Sequence, residues 1–224
     1  MTSTLAVADH VSRSFGSEAS IVQAVNDANC CIQTGDRIAL CGQSGSGKST
    51  LLHLLAGLDS PTHGTVSWPA IGSRSELRPG KVGVVFQSPS LIPALSVLEN
   101  CALPLLLMKL DSETAQAKAL TALVALDLDH LAHKLPEEIS GGQAQRVSVA
   151  RVLASDPHLI LADEPTGQLD HVTGSRVIDV LIAAADIAGA GLLVNTHDEA
   201  IADRFALRWT MSSGRLFMPR VGAS

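Results

Sequence analysis

Residues 42–49 read GQSGSGKS, a stretch that matches the pattern G-x-x-x-x-G-K-[ST] of phosphate-binding loops. It follows an apolar run, Arg37 to Cys41, and precedes a helical pattern, Lys48 to Ala56, with Gly57 placed to end it. Glycines let successive backbone N–H groups point inward at phosphate oxygens, and the helix start adds the positive end of its dipole. The stretch therefore predicts a strand, a phosphate-binding loop and a helix, in that order.

Two side chains of this loop are suited to specific roles at a nucleotide. Lys48 is expected to hold the β- and γ-phosphates, and the Ser49 hydroxyl is expected to bind Mg²⁺. A chance Gly/Ser loop is the alternative, but both the pattern and its flanks favour nucleotide binding. The loop residues predicted to bind ATP are Gly42, Ser44, Gly45, Ser46, Gly47, Lys48, Ser49 and Thr50.

Two adjacent carboxylates follow another apolar run, Leu159 to Ala162. Because parallel sheets bind ligands outside the carboxyl ends of their strands, Asp163 and Glu164 are expected near the phosphates. Asp163 can reach the Mg²⁺ shell, and Glu164 could polarise the water that attacks the γ-phosphate. Taken alone, this pattern usually marks a strand that meets solvent. Beside the phosphate loop it predicts a metal ligand and a catalytic base.

Short apolar runs alternate with helical stretches along the rest of the chain. Lys81 to Phe86 and Gly191 to Asn195 predict further buried strands. This alternation predicts an α/β fold with a mainly parallel core sheet, and the strand-rich N-terminal third predicts an added antiparallel β layer. With 46% hydrophobic residues and no long linker, residues 1–224 are predicted to form a single domain. The predicted helices are Val97 to Lys109, Thr114 to Leu126, Gly142 to Ala154 and Thr173 to Ala188.

Charge and cysteine content exclude some classes of partner. A formal net charge of -6 provides no basic stripe for phosphates along a duplex, so no nucleic-acid partner is expected. The cysteines show no C-x-x-C spacing, which predicts four reduced, mostly buried thiols, with a structural metal as the alternative. These cysteines are Cys30, Cys31, Cys41 and Cys101.

Two features of the sequence bear on location. Met1 to His10 show no basic stretch followed by an apolar core, so no secretory signal is expected. A cytoplasmic location is expected instead. The most apolar stretch, Val97 to Met108, is interrupted by Glu99 and Pro104 and is far shorter than the roughly 20 residues of a spanning helix. Any membrane role is therefore expected to depend on a partner.

A second glycine-containing segment separates the possible families. Residues 139–143 read ISGGQ and precede a helical pattern, which predicts a second helix N-terminus able to bind an anion. Here the sequence resembles the ABC transporter ATPases, whose signature usually reads LSGGQ. This resemblance and the extra helix N-terminus imply a homodimer, or a paired ATPase chain, that forms on ATP binding. The signature residues then implied to bind nucleotide are Ser140, Gly141, Gly142 and Gln143.

The other motifs of this family follow in order. The resemblance makes Gln87 the Q-loop glutamine, a catalytic residue and Mg²⁺ ligand, and His197 the switch histidine that contacts the γ-phosphate. It places Asp170 in the D-loop, at the nucleotide, and Phe15 where an aromatic ring stacks on adenine. Each residue has an ordinary alternative, such as a loop glutamine or a neighbour of a helix cap. For Phe15, base stacking and a core position both stay open.

Further motifs resemble the lipoprotein-releasing and macrolide-export group. They are Gly57 to Gly64, Leu98 to Asn100 and Glu164 to Gly167. The resemblance implies the ABC ATPase fold with a helical subdomain at about residues 88–156. It also implies an integral membrane permease as partner, a position at the inner face of the cell membrane, and export or mechanical work at the cell envelope. One departure is the short region 67–86, where Trp68 to Ser73 replace the usual hairpin and short helix.

Three functional hypotheses remain at this point. The first is a transport ATPase, and the second is a regulatory ATP switch of a cell-envelope or cell-division complex that moves no substrate. A soluble ABC protein of DNA repair or translation would need a long coiled-coil insertion or tandem cassettes, which the sequence lacks. For the first two, the apolar stretch Ser90 to Val97, directly after Gln87, is the predicted docking segment for a membrane partner.

Overall fold

Strands dominate the start of the chain, and strands and helices alternate after it. The computed structural model describes residues 2–16 and 20–219, and the structural statements below concern these ranges. The strands are β1 (Thr4–Phe15), β2 (Val22–Gln33), β3 (Arg37–Cys41), β4 (His63–Ser67), β5 (Val82–Val85), β6 (Leu159–Asp163), β7 (Gly191–Asn195), β8 (Leu207–Ser212) and β9 (Arg215–Phe217). The helices are α1 (Lys48–Leu55), α2 (Val97–Leu107), α3 (Ser112–Val124), α4 (Gly141–Leu153), α5 (His171–Ala188) and α6 (Glu199–Ala202).

Two sheets make up the β structure. In the first, β1 lies between β2 and β4 and is antiparallel to both. The second has the order β5-β6-β7-β3-β8-β9, and only its last pair, β8 and β9, is antiparallel. The predicted antiparallel β layer and mainly parallel core sheet are both confirmed.

The core sheet is covered on both faces. Leu161 and Leu193 belong to the hydrophobic cluster that includes α1 and the antiparallel sheet. Their neighbours Ile160 and Leu192 belong to the cluster that includes α2, α3, α4 and α5. Because successive strand residues point to opposite faces, a strand buried on both sides needs a continuous apolar run, as seen in β6 and β7.

Helices α2, α3 and α4 contact one another and contribute residues to the second cluster. They lie within residues 88–156, and both that subdomain boundary and the single-domain assignment of residues 1–224 stay predictions.

The predicted starts of α3 and α5 are each two residues late. Asp111 and Asp170 cap these helices, and each accepts a hydrogen bond from a backbone N–H inside its helix, so the first turn begins directly after the aspartate.

The short region 67–86 packs against the end of α1. The indole Nε1 of Trp68 donates a hydrogen bond of 2.7 Å to the Leu55 carbonyl, and Arg74 Nε donates one of 2.9 Å to the Gly57 carbonyl. The guanidinium of Arg78 donates to the Ala56 carbonyl. The last carbonyls of a helix lack partners within it, so these side chains satisfy the carboxyl end of α1.

The cysteine prediction is only partly right. Cys30 and Cys101 are buried, and burial raises the pKa of each thiol to about 12. Cys31 is exposed because it follows Cys30 on β2 and points the opposite way, and Cys41 is half-buried, so the thiols are not mostly buried. All four are free, and the described residues contain no cluster of three or more His, Cys, Asp or Glu able to hold a metal.

Candidate functional site

The loop between β3 and α1 requires glycine at two positions. Gly47 has a φ of 105°, and a Cβ added there would lie 2.0 Å from the Ala24 carbonyl oxygen. Gly42 has a φ of 145°, and its added Cβ would lie 2.2 Å from the Met211 carbonyl oxygen. Both φ values and both contacts exclude side chains. The loop is thus held against the backbone of β2 and β8.

The loop carries polar groups suited to an anion. The Nζ of Lys48, which is 5% exposed, donates hydrogen bonds to the carbonyls of Gly42 at 2.8 Å and Gln43 at 3.0 Å. The N-terminus of α1 has no side-chain cap, and the buried Oγ of Ser46 has no partner among the described residues. An ammonium, uncapped N–H groups and an unused hydroxyl fit phosphate oxygens.

Asp163 and Glu164 lie at the same sheet edge as this loop. In the ladder, Asn195 of β7 stands opposite both Leu40 of β3 and Asp163 of β6. Asp163 is 5% exposed, whereas Glu164 is half-buried, and its φ of 44° turns the chain sharply out of β6. The register thus brings both predicted carboxylates beside the strand that leads into the phosphate loop.

Gln87 and His197 converge on one oxygen of Glu164. The Nε2 of Gln87 donates a hydrogen bond of 3.3 Å to Glu164 Oε2, and His197 Nδ1 lies 3.5 Å from the same atom. Gln87 follows β5 and His197 follows β7, so two strand ends supply these groups. The structure brings these three side chains together, and both contacts are made to Oε2 rather than to Oε1 of Glu164.

The signature segment lies apart from this cluster. Ser140 caps α4 by accepting from the backbone N–H of Gln143 at 3.2 Å, while the Gln143 side chain accepts from the Ser140 N–H at 2.8 Å. Ser140 and Gly141 are exposed, and Gly142 packs against Leu169. None of the residues 139–143 lines either of the two cavities that contain His197.

Asp170 and Phe15 occupy less distinctive positions. The carboxylate of Asp170 caps α5, and hydrogen bonds from the Thr173 hydroxyl and from backbone N–H groups hold its pKa below the usual range. Phe15 is 43% exposed at the end of β1, with the Arg13 guanidinium 4.4 Å from its ring centre. A fully buried core position is therefore excluded for Phe15, and base stacking stays a prediction.

Comparisons with known proteins agree with this geometry. The ABC transporter family matches residues 25–167. The lipoprotein-releasing system ATP-binding protein LolD of Legionella pneumophila (strain Paris) is 41% identical over 213 residues, which cover 92% of this chain and 93% of that protein. The chain belongs to the ABC transporter family.

Solved structures support the same family at the level of the fold. The dimeric bacterial ABC transporter cassette MJ0796 has a TM-score of 0.89 and 33% identity, covering 97% of this chain and 100% of that one. A post-hydrolysis dimer of the same cassette with ADP and Pi has a TM-score of 0.88 and 32% identity, with the same coverage. The chain is an ATPase subunit of ABC type, and the predicted ABC ATPase fold is confirmed.

Some residues at the site were not predicted from the sequence. Asn195 contacts both carboxylate residues, although the sequence shows it only as the last residue of an apolar strand. Gln145, which is fully buried in α4, donates a hydrogen bond of 3.0 Å to the carbonyl of Phe86, directly before Gln87. For Asn195 the available signal was a polar residue at the end of an apolar run, whereas Gln145 stands beside Arg146 in a mixed polar segment and carries no such signal.

Replacing Gly47 with alanine should abolish tight ATP binding. A methyl group 2.0 Å from the Ala24 carbonyl oxygen, at a φ of 105°, cannot be accommodated unless the loop moves. Calorimetric titration with ATP measures the loss, and circular dichroism confirms that the variant is folded. Gly189→Ala is the matched control, because Gly189 has a φ of 61° but no atom near the added Cβ. Equal ATP affinity in Gly47→Ala and the parent protein would contradict the assigned loop.

Proposed function

We propose that two copies of this chain bind and hydrolyse Mg-ATP at shared sites and thereby drive a separate integral membrane permease. The work is export or mechanical work at the cell envelope. The convergence of Gln87 and His197 on Glu164, beside the phosphate loop, is the observation that carries the proposal. In ABC transporters, ATP hydrolysis drives a partner that spans the membrane. The described part of this chain contains no helix long and apolar enough to cross a membrane.

The hydrolytic roles follow from the positions of the side chains. Lys48 and the N-terminus of α1 would hold the phosphates, with Gly42, Gly45 and Gly47 allowing the close approach of the loop backbone. Glu164 would orient and activate the attacking water, and its Oε2 is fixed by Gln87 and His197. A carboxylate held in this way loses little freedom when water binds, which favours proton transfer.

The proposed Mg²⁺ ligands are Ser49, Asp163 and Gln87. The buried carboxylate of Asp163 stands at the sheet edge beside the phosphate loop, and Ser49 lies in the first turn of α1. Hydroxyl, carboxylate and amide oxygens are the donors that Mg²⁺ prefers, so the set fits the ion. Bound there, Mg²⁺ neutralises charge on the phosphates. In the structure the amide of Gln87 faces Glu164, so ligation by Gln87 requires its side-chain amide to turn.

The signature segment supports a site shared between two copies. Its helix N-terminus is exposed, and its residues line neither cavity around His197, so this end of α4 is open to a second molecule. A second copy would place Ser140, Gly141, Gly142 and Gln143 against nucleotide on the first copy's loop. MJ0796, which this chain resembles, has been solved as a dimer. ATP would then hold the two copies together by binding the dimer only.

A groove next to the Q-loop is suited to the membrane partner. Its lining is mainly apolar and includes Leu103, Pro104 and Phe86, the residue directly before Gln87. Leu107 at its rim is 62% exposed. In the adjoining loop, Ile92 is 39% exposed, whereas Leu91 and Leu95 are half-buried, so Ile92 is the most exposed large apolar side chain of the predicted docking segment. Exposed apolar surface of this kind favours a protein interface.

The relatives indicate the class of work. LolD of Legionella pneumophila is described as the ATP-binding protein of a lipoprotein-releasing system, and this chain covers 93% of it. We infer release or export of a hydrophobic substrate, with the chain held at the cytoplasmic face of the membrane by its partner. The short segment 68–81 closes the carboxyl end of α1 through Trp68 and Arg78 and leaves the groove accessible.

Charge introduced into this groove or into its adjoining loop should uncouple the partner. Leu107→Glu and Ile92→Glu are expected to abolish partner-stimulated hydrolysis, because each places a carboxylate in an apolar interface. ATP hydrolysis by the isolated variant chains should stay within about twofold of the parent rate, since substitutions at exposed positions usually change stability little. The measurement is ATPase activity of the chain alone and after reconstitution with the polytopic protein that copurifies from detergent-solubilised membranes.

Ile187→Glu is the matched control for this experiment. Ile187 is 89% exposed near the end of α5, on a surface outside the groove. The Ile187→Glu variant should copurify with the membrane partner, and the partner should stimulate its ATP hydrolysis as it does in the parent chain. Full stimulation in both Leu107→Glu and Ile92→Glu would place the docking surface elsewhere. A copurifying protein without membrane-spanning segments would remove the permease from the proposal.

A further inference from the structure

Asn195 ends β7 between the strand of the phosphate loop and the strand of the carboxylates. It is 1% exposed and follows the apolar residues 191–194. Its ladder partners are Leu40 on one side and Asp163 on the other. An amide at this point lies inside the sheet, where an apolar residue would continue the pattern of the strand.

Asn195 binds both carboxylate residues. Its side-chain Nδ2 donates a hydrogen bond to Asp163 Oδ1, and its backbone carbonyl accepts one of 3.0 Å from the Glu164 N–H. A buried carboxylate is unfavourable unless donors satisfy it, and a charge-assisted bond also restricts its rotation. Asn195 therefore fixes Oδ1 of Asp163 as the oxygen that accepts its hydrogen bond, and Oδ2 is the oxygen that Asn195 does not engage.

The amide is not placed there for stability alone. Its Oδ1 is buried and has no hydrogen-bond partner among the described residues. A buried acceptor without a donor is unfavourable, so a valine or leucine would suit the strand better. Asn195 donates to Asp163 but leaves its own Oδ1 without a donor. The requirements of the site explain this arrangement better than stability does.

We propose that Asn195 is a positioning residue that holds Asp163 in the orientation required for metal binding. The inference rests on the proposed function, in which Asp163 is a Mg²⁺ ligand. Asn195 acts through Asp163 and is not itself assigned as a ligand. Partners that orient a metal ligand typically contribute about 10- to 100-fold to metal affinity, so its loss should be measurable without turnover.

The test measures metal binding to the full chain loaded with ADP, which avoids hydrolysis. Mn²⁺, a paramagnetic substitute for Mg²⁺, is titrated and its free concentration is followed by electron paramagnetic resonance. Asn195→Val removes the amide and suits a strand, and it should weaken Mn²⁺ binding by about tenfold or more. Its ADP affinity in EDTA should match that of the parent chain, because the phosphate loop is unchanged.

Two further variants decide between explanations. Asp163→Asn tests the ligand itself, and Asn100→Ala removes a fully buried amide from α2, away from the site, as a control for destabilisation. Unchanged Mn²⁺ affinity in Asn195→Val together with a loss in Asp163→Asn would overturn the inference and leave the proposed function intact. Unchanged affinity in Asp163→Asn would overturn both. A loss of ADP affinity in EDTA, or an equal Mn²⁺ loss in Asn100→Ala, would also overturn the positioning role.

Discussion

Glu164→Gln should reduce ATP hydrolysis by at least about 100-fold, the usual contribution of a general base, while ATP affinity stays close to that of the parent chain. Glutamine keeps the size of the side chain and one oxygen able to accept from Gln87 and His197, which lie 3.3 and 3.5 Å from Glu164 Oε2. It cannot take a proton from water. Steady-state phosphate release and calorimetric ATP titration measure the two quantities separately.

Lys48→Ala provides the contrast, because Lys48 is expected to act through binding. Losing its charge-assisted hydrogen bonds should weaken ATP binding by roughly tenfold or more, and hydrolysis should fall as well. Asp186→Asn is a control, since the exposed Asp186 pairs with Arg37 near the end of α5. Hydrolysis near the parent rate in Glu164→Gln would remove Glu164 from the catalytic role.

Local motifs were sufficient to predict much of this molecule. The first glycine of the phosphate loop, the carboxylates Asp163 and Glu164, and the residues Gln87 and His197 all stand within two residues of the end of a predicted strand. In a parallel sheet these strand ends share one edge, so order along the chain predicts proximity in space. The contact of Gln87 and His197 with a single oxygen of Glu164 depends on side-chain rotamers, and the sequence does not contain that information.

Other features depend on long-range contacts without a local pattern. Trp68 reaches the carbonyl of Leu55, and Arg78 reaches that of Ala56, so the short segment after β4 completes α1. In the sequence this segment is only a departure from the family pattern.

The starts of α3 and α5 were misplaced because apolar periodicity outweighed the capping aspartates Asp111 and Asp170. Capping chemistry was the better indicator there.

Ser140→Asp should prevent the ATP-dependent dimerisation of the chain. Ser140 accepts the N–H of Gln143 at 3.2 Å, and aspartate caps a helix as well as serine does, so α4 should remain intact. In the shared site, however, the new carboxylate would face the phosphates of nucleotide on the second copy. Two like charges about 4 Å apart repel by about 4 kcal/mol at an effective dielectric constant near 20, which corresponds to roughly a thousandfold weaker association for each site.

The experiment uses the Glu164→Gln background, in which ATP is bound but not hydrolysed, and light scattering with and without ATP. The parent background should change from monomer to dimer, and Ser140→Asp should remain monomeric with its ATP affinity as a monomer preserved. Ser140→Asn is the matched control, because asparagine caps the helix without adding charge and should still dimerise. Only repulsion across a shared site separates these two variants, since both keep the cap and neither touches the phosphate loop of its own copy. Equal dimerisation of Ser140→Asp and Ser140→Asn would therefore mean that the signature segment does not face the partner's nucleotide.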